Sequence, residues 1–211
     1  MATGERAARP WGLVAILMLV QVCGTLAHLG PAIVVVDAAP ALGVDPAAIG
    51  AFMAVVFLGA MLTVLVSGAL CARLGAVRLS QLGLVSTAAG CALAAAGTAE
   101  AALGGALLIG LGYGPVTPAS SHLLARHAPA ESRALLFSVR QTGLPFGGML
   151  TGLMVPQLLA ALGWQGAMLV LGGVCLAMAG GLQPLVATLD ADRDPAAPLG
   201  LRGMVAGPLR A

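Results

Sequence analysis

Residues 141–189 form a run of 49 positions without a formal charge. Soluble domains carry roughly 25% charged residues, and this chain carries only 9%. Such a run has a lipid bilayer as its natural solvent. One membrane-spanning helix needs about 20 residues, so the run predicts two helices, divided at Leu162-Gly163-Trp164-Gln165. Backbone groups in lipid must find hydrogen bonds within their own segment, which a helix provides. The run is far too long for a barrel strand.

Four more charge-free runs precede it, at 10–36, 46–72, 79–99 and 101–125. Together they predict an all-α membrane protein with six spans over residues 11–189. Residues 1–10 read as an N-terminal tail carrying Arg6 and Arg9, and residues 190–211 as a polar linker rich in Pro and Gly. A cleaved signal peptide would share the basic start and apolar core of the first run. The apolar sequence resumes through Ile33-Val34-Val35-Val36, which favours a retained span. Asp37 is expected to end that span, with a short loop over residues 40–43. Asp45-Pro46 reads as a helix N-cap followed by proline at the first helical position. Residues 126–133 read as a charged loop.

The charges alternate with the spans. The first, third and fifth connections hold Asp37, Asp45 and Glu100 and no arginine. The arginines lie in the two tails and in or just after the second and fourth connections. The positive-inside rule places those segments, and so both termini, in the cytoplasm.

An internal echo accompanies this pattern. Gly59-Ala60-Met61-Leu62-Thr63 resembles Gly147-Gly148-Met149-Leu150-Thr151, and Leu74-Gly75 matches Leu162-Gly163 at the same offset. Gly30-Pro31 corresponds to Gly114-Pro115. Three spans per unit means that the second unit inserts upside down, a 3+3 inverted repeat of the kind seen in transporters.

Polar residues within the spans mark a candidate solute site. Gln21, Thr25 and His28 share one face of the first helix. Tyr113, Thr117 and Ser120 have the same spacing in the fourth, and Thr63 and Ser67 share a face of the second. The sixth span has no hydrogen-bonding side chain between Gln165 and Gln183. Helices one, two and four are therefore expected to line a wet region, with helix six towards lipid. The competing reading is hydrogen bonding between helices. Arg140 and Gln141 stand about two turns into the fifth helix. A charge at that depth either faces the bundle interior or snorkels to the headgroups. His28 is the mid-span titratable group. Gly110/Gly114, Gly143/Gly147 and Gly148/Gly152 are spacings that permit close helix approach.

Other chemistries find no support. Cys23, Cys71, Cys91 and Cys175 are scattered, which argues against a metal site or a disulfide framework. No cofactor motif is present, and no basic patch interleaved with aromatics points to nucleic acid. An intramembrane serine protease would need a Gly-x-Ser-Gly-like site, which Ser120-Ser121-His122 lacks. The chain does not read as an enzyme.

The sequence resembles the amino-terminal half of a major facilitator superfamily transporter. The likeness rests on Gly68, Leu70, Arg73 and Gly75 in the second connection, followed by Arg78. It also rests on Gly110-Leu111-Gly112-Tyr113-Gly114 and on residues 137–148, which look like the start of the fifth helix in many bacterial members. The family's acid in the loop motif is replaced by Ala72. The resemblance implies a bacterial inner-membrane carrier of a small solute, with an organic or inorganic anion among the classes considered. It implies alternating access and a loop that latches two six-helix halves. The family has twelve helices, so a second half, a homodimer partner or a truncated, non-transporting fragment are the expectations for this chain. Its other partner is the bilayer.

Overall fold

The computed structural model describes residues 2–191 and 193–196, with side chains from residue 11 onward. The side chains of Arg6 and Arg9 and most of the expected C-terminal linker lie outside what is described. Among the described residues the structure is helical throughout: α1 (Ala2–Leu42), α2 (Ala48–Leu74), α3 (Ala76–Ala94), α4 (Ala99–Tyr113), α5 (Val116–His127), α6 (Arg133–Gln141), α7 (Gly143–Gly181) and α8 (Gln183–Leu189).

Among the described residues five stretches are long and apolar enough to cross a membrane: Trp11–Leu42, Ala48–Leu74, Ala76–Ala94, Ala99–His127 and Arg133–Gly181. The last has 49 residues. At about 1.5 Å per residue it would extend roughly 70 Å as one rod, over twice the hydrocarbon thickness. It does not run straight. Gly163 leaves helical geometry at φ 69°, ψ 177°. Before it, Gly143 lies against Met18, Gly147 against Thr25, and Val155 against Gly30, so this arm runs alongside α1 in the same direction. After it the chain returns antiparallel to α3. Gln165 Nε2 donates to Ala95 O, Gly172 packs on Ala88, and Gln81 Nε2 donates to Ala179 O. The break expected at residues 162–165 is thus present, and it makes a sixth membrane-length segment.

Several boundaries differ from the expectation. The first helix does not stop at Asp37 but continues to Leu42, and residues 40–42 are its last turn rather than a loop. Asp37 is exposed, so its charge meets solvent without interrupting the helix, while Ala38 and Ala39 bury the opposite side. Gly43 at φ 65° ends it, with Gly43 N donating to Pro40 O and Val44 N to Ala39 O. That pair of bonds is a Schellman closure. Asp45 does cap, but it caps a turn: Oδ1 accepts from Ala47 N at 2.7 Å, and α2 begins one residue later. Thr98, overlooked in the sequence, caps α4 by accepting from Ala101 N. The fourth span divides at Gly114-Pro115 into α4 and α5, because Pro115 has no N–H to offer the ladder.

Helix pairing depends on small residues. Gly59, Gly110 and Gly114 bring α4 against the backbone of α2. Gly83 and Gly90 meet Gly112 and Gly105 across the α3–α4 contact. The spacings Gly110/Gly114 and Gly143/Gly147 serve close approach as expected. Gly152 does not, since nothing lies within 4 Å of where its side chain would be. The returning arm of α7 is half-covered: Ala167, Leu171 and Cys175 are buried, while Leu169 and Leu176 are exposed.

The turn between α2 and α3 is closed from a distance. Asp190, placed by the sequence at the head of a linker, is only 4% exposed. Its Oδ1 accepts from Val77 N at 2.9 Å and its Oδ2 from Arg78 N at 2.8 Å. These are first-turn amides of α3, orphan donors at the positive end of the helix dipole. Gly75 admits the carboxylate because any side chain there would overlap Asp190. Its φ of 94° and ψ of 151° also belong to a region open essentially to glycine alone. Gly75→Ala is therefore expected to lower stability by about 2–3 kcal/mol, and Asp190→Ala by about 1–2 kcal/mol. Thermal unfolding in detergent checks both, and an unchanged midpoint for either would remove the cap from the list of stabilising contacts.

Candidate functional site

The first-helix stripe is buried rather than wet. Gln21 is 2% exposed, Thr25 0% and His28 4%. What the sequence could not show is the residue they meet. Arg140, on α6, is 1% exposed and turned into the bundle, not towards the headgroups. Gly143 makes this approach possible. Its bare Cα lies against the Met18 backbone and the Gln21 side chain, where an added carbon would sit at 3.0 and 3.2 Å.

The guanidinium is held by neutral oxygens. Arg140 Nη2 donates to Gln21 Oε1 at 2.7 Å and to Ser120 Oγ at 3.1 Å, and Nη1 donates to Gln141 Oε1 at 2.9 Å. Gln21 Oε1 also accepts from Thr117 at 3.3 Å, while its amide nitrogen donates to Thr25 at 3.4 Å. Arg140 Nε is buried without a partner among the described residues. One cation thus ties α1, α5 and α6 together, and among the described residues no carboxylate bonds to it. Thr117 and Gln141 are exposed and form the edge of the cluster.

A second layer lies two turns along α1. His28 stacks on Tyr113 with ring centroids 4.1 Å apart and 9° between planes, and Phe57 meets it edge-on at 5.3 Å. Neither ring nitrogen of His28 has a hydrogen-bond partner among the described residues. The Tyr113 hydroxyl is turned towards Thr25 and Gln21, which joins the two layers.

The structure therefore gathers Gln21, Thr25, His28, Tyr113, Thr117, Arg140 and Gln141 into one region. Ser120 belongs with them, and its place in the Tyr113 stripe was the available signal. Phe57 gave none. Thr63 and Ser67 do not join. Thr63 Oγ1 donates to Gly59 O and Ala60 O of its own helix, and Ser67 Oγ to Val64 O. The Ser120 hydroxyl donates to Val116 O and accepts from Arg140, an arrangement suited to holding a cation.

The loop-motif residues lie elsewhere. Gly68 and Arg73 are exposed, Leu70 is half-buried, Gly75 faces Asp190, and Arg78 is exposed beside the cap.

The family model of the Major Facilitator Superfamily matches residues 14–205. The chain belongs to the major facilitator superfamily. It is accordingly a transmembrane protein of a transporter superfamily, and its fold agrees with solved members. Three structures of a variant of the peptide transporter POT match this superfamily chain. The complex with sulfate has 19% identity and a TM-score of 0.70, covering 83% of this chain and 38% of that one. The complex with alafosfalin has 21% identity and a TM-score of 0.71, covering 90% and 39%. A third structure, of the same variant, has 20% identity and a TM-score of 0.73, covering 93% and 43%. The chain spans about two-fifths of the length of these structures. No curated protein matched the sequence.

Unequal satisfaction of the two layers yields a contrast. Gln21→Leu removes the shortest acceptor of a buried cation and is expected to cost about 1.5–3 kcal/mol. His28→Phe keeps the ring stack and loses no hydrogen bond, so its change should stay within about 1 kcal/mol. Thermal unfolding of both variants side by side tests this, and equal destabilisation would contradict the assigned geometry.

Proposed function

We propose that this bundle forms one wall of the solute path of a major facilitator carrier, and that the solute is a small organic or inorganic anion. The observation that carries the reading is Arg140: among the described residues its buried guanidinium is bonded only to neutral oxygens, and its Nε is left without a partner. Removing a charge from water is costly unless an opposite charge compensates it. A charge within a membrane protein usually marks a substrate or ion pathway. An anion reaching the exposed edge at Thr117 and Gln141 would supply that compensation. Gln21 and Ser120 orient the guanidinium, and the His28–Tyr113 stack closes the region beyond it.

The wider frame is part of the same proposal. Residues 1–10 and 190–211 flank a bundle over 11–189, with both termini in the cytoplasm of a bacterial cell and the bundle in its inner membrane. The six segments form a 3+3 inverted repeat. In support, the matched glycines Gly75 and Gly163 adopt the same uncommon backbone region, at φ 94° and 69°. A second six-helix half, or a second copy of this chain, provides the facing wall, and the bundle rocks against it in alternating access. The matched structures being more than twice as long supports a facing wall. The role is transport and not catalysis.

Binding is measurable on the purified chain. A ligand at one hundred times its Kd raises apparent stability by about 2.7 kcal/mol. Thermal-shift screening should find small anions that stabilise the chain where neutral and cationic solutes do not. Arg140→Gln should abolish the response. Gln21→Glu places a carboxylate where the anion's charge is needed, so it should abolish the response while keeping the unliganded chain at least as stable. A response to neutral solutes equal to that for anions, or one surviving Arg140→Gln, would defeat the anion reading.

A further inference from the structure

A groove of about 740 Å³ opens between α3 and the returning arm of α7, at the end of the bundle that carries the α2–α3 turn. Its rim bears Arg73, Arg78 and Arg193, and its floor bears Leu82, Val85 and Leu176. The three leucine and valine side chains are 53%, 44% and 53% exposed. Among the described residues the nearby carboxylates, Asp190 and Asp194, are engaged elsewhere. Asp190 caps α3 through both oxygens, and Asp194 Oδ1 accepts from Ala196 N. Among the described residues no salt bridge joins any of the three rim arginines to a carboxylate. Gln81 crosses the groove to Ala179 O and Gln183 Oε1, which fixes the spacing of its two walls.

The two halves of this groove ask for different chemistry. Three guanidiniums on exposed side chains, without a salt bridge among the described residues, call for an anion with several oxygens, and arginine suits phosphate through paired N–H donors. The floor belongs to helices of membrane length and faces outward, so it is covered by hydrocarbon. A free anion would satisfy the rim and leave the floor untouched, and a neutral lipid would do the reverse. We propose that the groove is a binding site for an anionic phospholipid of the arginine-side leaflet. Its headgroup phosphate sits among Arg73, Arg78 and Arg193, and an acyl chain lies over Leu82, Val85 and Leu176. The site lies apart from the Arg140 cluster and does not depend on its role. Because Arg78 belongs to the capped turn of α3 and Arg193 follows Asp190, a bound lipid would bridge the two segments that the cap joins.

Native mass spectrometry of the purified full chain, titrated with phosphatidylglycerol and with phosphatidylcholine of matched acyl chains, tests the proposal. Phosphatidylglycerol is expected to be retained in preference, and inorganic phosphate at the same concentration is expected not to compete. Each of Arg73→Gln, Arg78→Gln and Arg193→Gln should weaken phosphatidylglycerol binding about fivefold, the effect of one basic residue near an anionic surface. All three side chains are exposed, so the variants should fold, with thermal unfolding as the check. Arg133→Gln removes the same charge from a different connection and should leave binding unchanged. Equal retention of the two lipids, full competition by inorganic phosphate, or equal weakening by Arg133→Gln would each overturn the site.

Discussion

Helices in lipid gain little from burying apolar surface against one another, since the surrounding chains are equally apolar. What remains is contact between backbones, and glycine sets how close those backbones come. Gly110 against Val56, Gly112 against Gly83, Gly105 against Gly90 and Gly147 against Thr25 hold five helices in register. The polar chemistry follows from that spacing. Arg140 reaches Gln21 because Gly143 lets the start of α7 lie on α1, and His28 stacks on Tyr113 because α4 is drawn in by its glycines.

Two buried charged groups are handled in opposite ways. Asp190 is fully committed: both oxygens accept from the first turn of α3, and the helix dipole adds to the attraction. It completes a structural joint between two segments more than a hundred residues apart. Arg140 has neutral partners, and its Nε is without a partner among the described residues. One group is closed by its surroundings and the other is left with capacity to bind. That difference, rather than depth or burial, is what the proposed role of Arg140 rests on. It also bears on the loop motif. The acid missing at Ala72 is not replaced in the loop itself, yet a carboxylate from the segment after the sixth span stands on the same turn.

Much of the fold was legible because the bilayer imposes simple rules. Charge-free length located the spans, and Leu162-Gly163 marked the reversal at a residue able to take its backbone angles. The misplaced boundaries have a local cause. Asp37 was read as a stop, but one exposed carboxylate does not break a helix, and Gly43 with its closing bonds does. The site was legible in part. Helical periodicity placed Gln21, Thr25 and His28 on one face, and depth singled out Arg140. Periodicity also grouped Thr63 and Ser67, whose hydroxyls turn back to their own helix, since a hydroxyl in lipid takes the nearest carbonyl. Phe57 and Asp190 were beyond reach because their partners are distant in the chain.

The sequence alone therefore determined the solvent of the chain, the number and limits of its spans within a few residues, and the segregation of its arginines. These depend on composition and local period, which need no partner. Tertiary structure alone decided which polar groups meet. It brought Arg140 to Gln21 across 119 positions and Asp190 to Arg78 across 112. Such pairings depend on how closely two helices approach and how each is rotated. Packing between separate segments sets both quantities.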